Sequence, residues 1–413
     1  MGSFLIGLRQ GDWLTLERVK RLAIVFAALS FTVLCLDAWA HTRFGVVNAG
    51  GEQLGRDFVN YWSGARLALH GNAGLAYRIN DFLAYERSLT APNAEFKWYG
   101  YPPVAMVLAA PFGALPFIPA FALWTVTGWG VLAGMLTRRL GAAFAVIAVL
   151  GAPAFMLNAM SGQNGAFSAA LLAGGVLLLD RRPLLSGVLF GLLCYKPHMG
   201  VLIPVALIAG GRWKATAAAS AAVIGVVCAS VLLVGWQPWV AFLHNAPFHR
   251  QILEGQPGIW FRMPSLYLAG RLIGAPSGLA YAAQALSALG AAAVVIAIWR
   301  GGASTTLKGA GLMVATFLAT PYVWDYDMVV LLFAAIWVWM EAEQGRWPPW
   351  EKSALAVVVA APVILPIFST FAHLQFGPLV LWCMLALILR RARPELFEGH
   401  GPPLIPGSLV NDR

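Results

Sequence analysis

Long apolar runs alternate with short polar punctuation along almost the whole chain, from residue 22 to residue 389. A run of about 20 residues with few charges is what the hydrocarbon core of a bilayer accommodates as a helix. The pattern predicts spans at 22–40, 103–137, 142–158, 164–179, 184–195, 198–210, 215–235, 277–299, 309–320, 326–342, 353–369 and 374–390. The second run is too long for one crossing. Pro111, Pro116 and Pro119 predict its division into a short or re-entrant piece and a true span. The expected fold is therefore an all-α polytopic membrane protein with about 12 transmembrane helices. One multi-spanning domain is expected over 1–393, followed by a cytoplasmic tail, 394–413, rich in Pro and Gly.

The polar punctuation orients the spans. Arg18, Lys20 and Arg21 precede the first one. Arg138-Arg139, Arg181-Arg182, Arg212 with Lys214, Arg300 with Lys308, Arg346 with Lys352, and Arg390-Arg391 with Arg393 follow at every second boundary. Cytoplasmic loops carry the excess of Lys and Arg, so both termini are expected inside. Two long loops, 41–102 and 236–276, then face outward together with several short turns. The N-terminus also has the basic and apolar regions of a signal peptide, with Ala38-Trp39-Ala40 as a cleavage site. Retention is the expectation, because the remaining spans need a first anchor.

Composition agrees with the pattern. Hydrophobic residues make up 59% of the chain and charged ones 11%, whereas soluble domains carry about a quarter charged. The net charge of +10 falls in clusters between apolar runs, which reads as topology and lipid-headgroup contact rather than nucleic-acid binding. Cys35, Cys194, Cys228 and Cys383 all fall in expected spans without a Cys-x-x-Cys pair. Buried free thiols are expected of them.

Chemistry-capable residues collect on the outer side. Asp57 precedes Phe58, Tyr61, Trp62, Ala65 and Leu69, a helical stripe suited to an interfacial helix. Asp57 reads equally as that helix's cap and as a catalytic carboxylate. A second short helix is expected over 80–90, capped by Asn80. Lys97-Trp98-Tyr99-Gly100-Tyr101-Pro102-Pro103 reads as interface anchoring and helix punctuation. Gln163 and Asn164 of Gly162-Gln163-Asn164 either cap the next helix or bind sugar hydroxyls. Lys196, in Lys196-Pro197-His198, lies between two short apolar segments, where it either snorkels or meets a lipid phosphate. The second long loop interleaves His244, His249, Arg250, Glu254 and Arg262 with aromatics. Asp325 and Asp327 sit two residues apart at another outer turn, able to contact sugar hydroxyls or supply two ligands to a divalent cation. Ser369 and His373 flank the last outer turn.

Taken in order, these pieces resemble glycosyltransferase family 87, whose multi-spanning fold is called GT-C. The matching pieces are Asp57 with Tyr61-Trp62, Gly71 and Tyr77, then Tyr101-Pro102-Pro103, Gly162-Gln163-Asn164 and Lys196-Pro197, across roughly residues 50–330. The second long loop offers no motif that aligns. The resemblance implies a polyprenyl-phosphate sugar donor, often mannose, and an α-(1→2)-type transfer to a lipid or glycan acceptor. It implies Asp57 as base in an inverting displacement. Lys196, His198 and Arg262 would hold the donor phosphate, and Tyr61, Gln163, Asn164, Asp325 and Asp327 would meet sugar. No cofactor is expected, with a divalent cation left open. A place in a bacterial cell inner membrane, its site toward the periplasm or exterior, completes the expectation. A secondary transporter and a lipid-carrier-dependent glycan ligase are the rival readings; the first would need midplane charges and repeats, and the chain shows few of the former and no convincing instance of the latter.

Overall fold

The computed structural model describes residues 2–43, 45–345 and 347–397; the tail beyond 397, Arg346 and the side chains of residues 2–4 and His249 lie outside the described residues. Among the described residues the chain is helical, and the one β contact is an isolated bridge between Val47 and Gln53.

Five helices are long and apolar enough to cross a membrane: Leu16–Thr42, Phe117–Leu140, Trp213–Val234, Ser277–Arg300 and Glu351–Ala372. Ala142–Leu150 and Pro153–Met160 form a sixth when taken as one span bent by 64°. The bend falls where Pro153, which lacks an N–H, begins the second piece. Several further apolar runs form helices of under 18 residues, among them Gly165–Leu178, Pro183–Tyr195, Pro197–Ala209 and Thr305–Ala319. Hydropathy treats each such run as a crossing, whereas length separates five or six full spans from shorter pieces. The run 103–137 divides into Pro103–Gly113 and Phe117–Leu140, with the break just before Phe117 at Pro116. Pro111 lies inside the first helix without ending it.

Burial separates strongly exposed helices from central ones. Only 6% of the apolar window of Trp213–Val234 and 11% of that of Leu16–Thr42 is buried, and Leu232 is 86% exposed. Apolar faces this extensive require an apolar solvent, which for helices of this length is the bilayer. The integral membrane character of the protein follows. Thr305–Ala319 and Val330–Glu343, in contrast, are buried along most of their length, inside the main apolar cluster. The thiols depart from expectation. Cys35, Cys228 and Cys383 are exposed and Cys194 is half-buried, all free. Cys35 and Cys228 sit on the spans Leu16–Thr42 and Trp213–Val234, whose outward faces need no protein cover.

The first long loop also departs from its expected form. Phe58–Leu69 is a helix, but its stripe faces protein instead of headgroups: Phe58, Tyr61, Trp62 and Ala65 are buried, while Leu69 is exposed. Phe117, Phe112 and Trp124 supply edge-on and tilted ring contacts to this stripe or to one another, and Trp62 Nε1 donates to Leu115 O at 2.8 Å. Such ring pairs are worth about 0.5–1.5 kcal/mol each beyond the area they bury. The next helix runs Ile79–Leu89 with Arg78 at its cap position, so Asn80 lies in the first turn and does not cap it.

Candidate active site

Two distant turns are pressed together to place Asp57. Gly162 has φ +58, and a Cβ there would lie 2.3 Å from Gly55 O and 2.4 Å from the Phe58 Cβ. Only glycine serves both demands, a left-handed backbone and a near-touching neighbour. The approach lets Asp57 donate its N–H to Ser161 O at 3.1 Å. Asp57 occupies the N-cap position of Phe58–Leu69, yet its side chain makes no capping bond. Its carboxylate is held from across the turn: Gln163 Nε2 donates to Asp57 Oδ2 at 2.7 Å. Gln163 Oε1 in turn accepts from the Tyr61 hydroxyl at 2.6 Å and from the Tyr101 hydroxyl at 3.1 Å. This network fixes the amide's orientation, since a carboxylate only accepts and the phenols supply the donors. Tyr61 stacks on Trp124, 5.1 Å between ring centres.

Arg56, immediately before Asp57, has φ +40, a conformation L-residues adopt at a cost. Its side chain is tied three ways, to Asp37 at 3.1 Å, to Glu52 at 2.9 Å and to Met160 O at 2.8 Å.

Lys196 lies where two short 3-10 turns meet, Leu193–Tyr195 and Pro197–Gly200. Its ammonium is 3% exposed and does not snorkel. It donates to Asn164 Oδ1 at 2.8 Å and to Asp327 Oδ1 at 2.6 Å. An ammonium carries three donors, and these two acceptors use two of them. Asn164 sits at the N-cap of Gly165–Leu178 without a side-chain capping bond; holding Lys196 is its role. Asn164 Nδ2, Asp327 Oδ2 and His198 Nε2 have no hydrogen-bond partner.

Arg262 takes a course different from the one expected. It forms a bidentate pair with Asp325, 2.8 and 2.9 Å, and Asp325 Oδ1 also accepts from Tyr326 N at 2.8 Å. The pair fastens the second long loop to the turn at 320–329, supported by Asp325 N donating to Arg262 O at 3.0 Å. Arg262, expected at the donor phosphate, and Asp325, expected at sugar, are engaged with each other, and neither lines the cavity described next. Asp325 and Asp327 address different cations and do not converge. Among the described residues no three His, Cys, Asp or Glu side chains group to hold a metal.

One cavity of about 990 Å³ gathers the remaining groups. Asp57, Gln163, Lys196 and His198 line it. Tyr61, Asn164 and Asp327 stand behind this wall, bonded to Gln163 or to Lys196. The cavity draws on both long loops and on the turns around 163, 196 and 322–326, while none of the basic clusters that oriented the spans reaches it. Asp57 is its one acid among the described residues, against Lys97, Lys196 and Arg250. Lys97, Trp98 and Asn60 went unrecognised as wall residues. Asn60 was discoverable, three residues after Asp57 on one helical face. Arg250 comes from the helix Ala246–Gly255, which covers the cavity and carries no motif. A single carboxylate beside several cations and aromatic rings can take a proton from a hydroxyl while an anion is held nearby.

The model of glycosyltransferase family 87 matches residues 98–321, more than half of the 413-residue chain. The match includes Tyr101, Gln163, Lys196, His198 and Arg262; Asp57, Asp325 and Asp327 lie outside it. Neither a curated protein nor a solved structure matches the chain.

Proposed function

Because the chain belongs to glycosyltransferase family 87 and is a membrane glycosyltransferase, we propose that it moves a hexose, mannose, from a polyprenyl-phosphate donor to a lipid or glycan acceptor on the non-cytoplasmic face. A donor with an isoprenoid tail arrives sideways through the lipid, with its phosphate at headgroup depth. The acceptor hydroxyl attacks the anomeric carbon, and Asp57 takes its proton. The new C–O bond forms as the bond to phosphate breaks, and that electron pair leaves on the polyprenyl monophosphate. Configuration inverts in this single displacement.

Gln163 positions Asp57. The remaining Lys196 donor and His198 Nε2 meet the leaving phosphate as its charge grows. Tyr61, Asn164 and Asp327 act through these residues. Arg262 and Asp325 keep the covering loop in place. Protein cations supply the neutralisation, so turnover persisting under exhaustive chelation is expected.

The observation that carries this reading is that Asp57 and Lys196 line one cavity although 139 residues separate them. The test is to incubate purified protein with radiolabelled polyprenyl-phosphate mannose and a membrane lipid extract. A labelled, inverted mannoside product is expected from the wild type and not from Asp57→Asn. Uptake of a solute into proteoliposomes with no transfer would overturn the reading.

A further inference from the structure

Most polar groups on the cavity wall already have a protein partner. Gln163 is shared between Asp57 and two phenols, Lys196 between Asn164 and Asp327. Lys97 pairs with Glu95 at 3.2 Å and Arg250 with Glu254 at 2.7 Å. Asn60 differs. It lines the cavity, it is 6% exposed, and its Oδ1 has no hydrogen-bond partner.

Its position gives this a direction. Asn60 N donates to Asp57 O at 3.1 Å, so the two residues begin the same helical turn on the same face. Side chains three residues apart on a helix stand about 5–6 Å apart at Cβ. That separation lets one pyranose ring meet both, one hydroxyl at the carboxylate and another at the amide. A buried amide with an unmet acceptor is costly unless a ligand completes it. Elsewhere in this helix the buried positions are mostly apolar or small, Phe58, Val59, Ala65 and Leu67 among them. An amide here is a departure that packing does not explain.

We propose that Asn60 hydrogen-bonds a second hydroxyl of the acceptor sugar and thereby selects which hydroxyl is presented to Asp57. The residue is a specificity determinant, not the base. The proposal rests on the transfer reading above. A half-turn of the amide brings its oxygen from the buried side to the cavity, where it accepts from a sugar O–H; unturned, the amide N–H₂ donates to the sugar oxygen.

The test uses octyl α-mannoside and its monodeoxy analogues as acceptor probes, with polyprenyl-phosphate mannose as donor. Asn60→Ala should raise the acceptor KM about 5- to 20-fold, the loss expected of one hydrogen bond to a bound hydroxyl, with the donor KM unchanged. One monodeoxy acceptor should be poor for the wild type by the same factor and should equal the parent acceptor in the variant. Linkage analysis should show a mixture of products from the variant where the wild type makes one. Asn60→Asp, which retains the acceptor oxygen, should recover part of the discrimination and guards against a folding defect in the alanine variant. Parallel losses for every acceptor, or wild-type kinetics in Asn60→Ala, would overturn the proposal while leaving the transferase reading intact. A wild type that transfers no mannose from the donor would overturn both.

Discussion

Gln163 donates a 2.7 Å hydrogen bond to Asp57 across 106 residues of sequence. The bond joins the two motifs with the clearest chemistry and sets the first prediction. Asp57→Asn should fold normally and lose transfer by at least about a hundredfold, the usual contribution of a general base. Gln163→Ala should reduce kcat less severely, since the proposed base remains but loses its positioning donor. Radiometric transfer assays on detergent-purified variants with matched unfolding temperatures check both.

Lys196 and Asp327 make a buried pair, 3% and 0% exposed. Removing one partner of such a pair leaves an uncompensated charge and costs about 3–5 kcal/mol. Lys196→Met alone should therefore destabilise the protein strongly. Lys196→Met with Asp327→Leu should recover most of that stability, yet remain inactive, because the proposed donor to the leaving phosphate is gone. Thermal unfolding in detergent, run beside the transfer assay, separates the two effects.

Arg262 and Asp325 invite a charge swap. Were Arg262 a phosphate ligand, exchanging the two residues would abolish transfer. As a clamp between the covering loop and the 320–329 turn, the exchange should restore a substantial part of the activity lost in Arg262→Ala. Arg262→Lys should be intermediate, since lysine keeps the charge but not the bidentate fork. Comparing kcat/KM across the four proteins decides between these roles.

Glu86 provides a pH signature. It lies in Ile79–Leu89, fully buried, and neither carboxylate oxygen has a partner. Burial pushes its carboxyl from 4.5 up to about 9, against a smaller opposing pull from Lys97. The folded protein thus keeps a proton that the unfolded chain has released. Its contribution to stability is complete below the unfolded value of 4.5 and is lost as pH rises toward about 9. Unfolding temperature should decline across that window, and Glu86→Gln should flatten the decline.

Much of this was written in the sequence, and the exceptions have physical reasons. Apolar runs and basic clusters declare a membrane chain, because the bilayer acts on every residue of a span. The Tyr101, Gln163 and Lys196 turns were legible because polar groups beside apolar runs stand out. Partner choice was not. Nothing in Arg262 or Asp325 announces that they pair, since the residues lie 63 apart and meet only through loop packing. The stripe of Phe58–Leu69 fits an interface or a protein groove equally well, and only the presence of Phe117 and Trp124 selects the groove. The wall contribution of Ala246–Gly255 was hidden because its sequence resembles any wet amphipathic helix.

Arg56 grips Asp37, near the end of the Leu16–Thr42 helix, and is followed directly by Asp57. Helices tilt to match the thickness of their membrane. A tilt of this exposed helix should therefore reach Asp57 through the Arg56 side chain and its left-handed backbone. Turnover measured in vesicles of graded acyl-chain length should then pass through an optimum as the bilayer is made thicker or thinner.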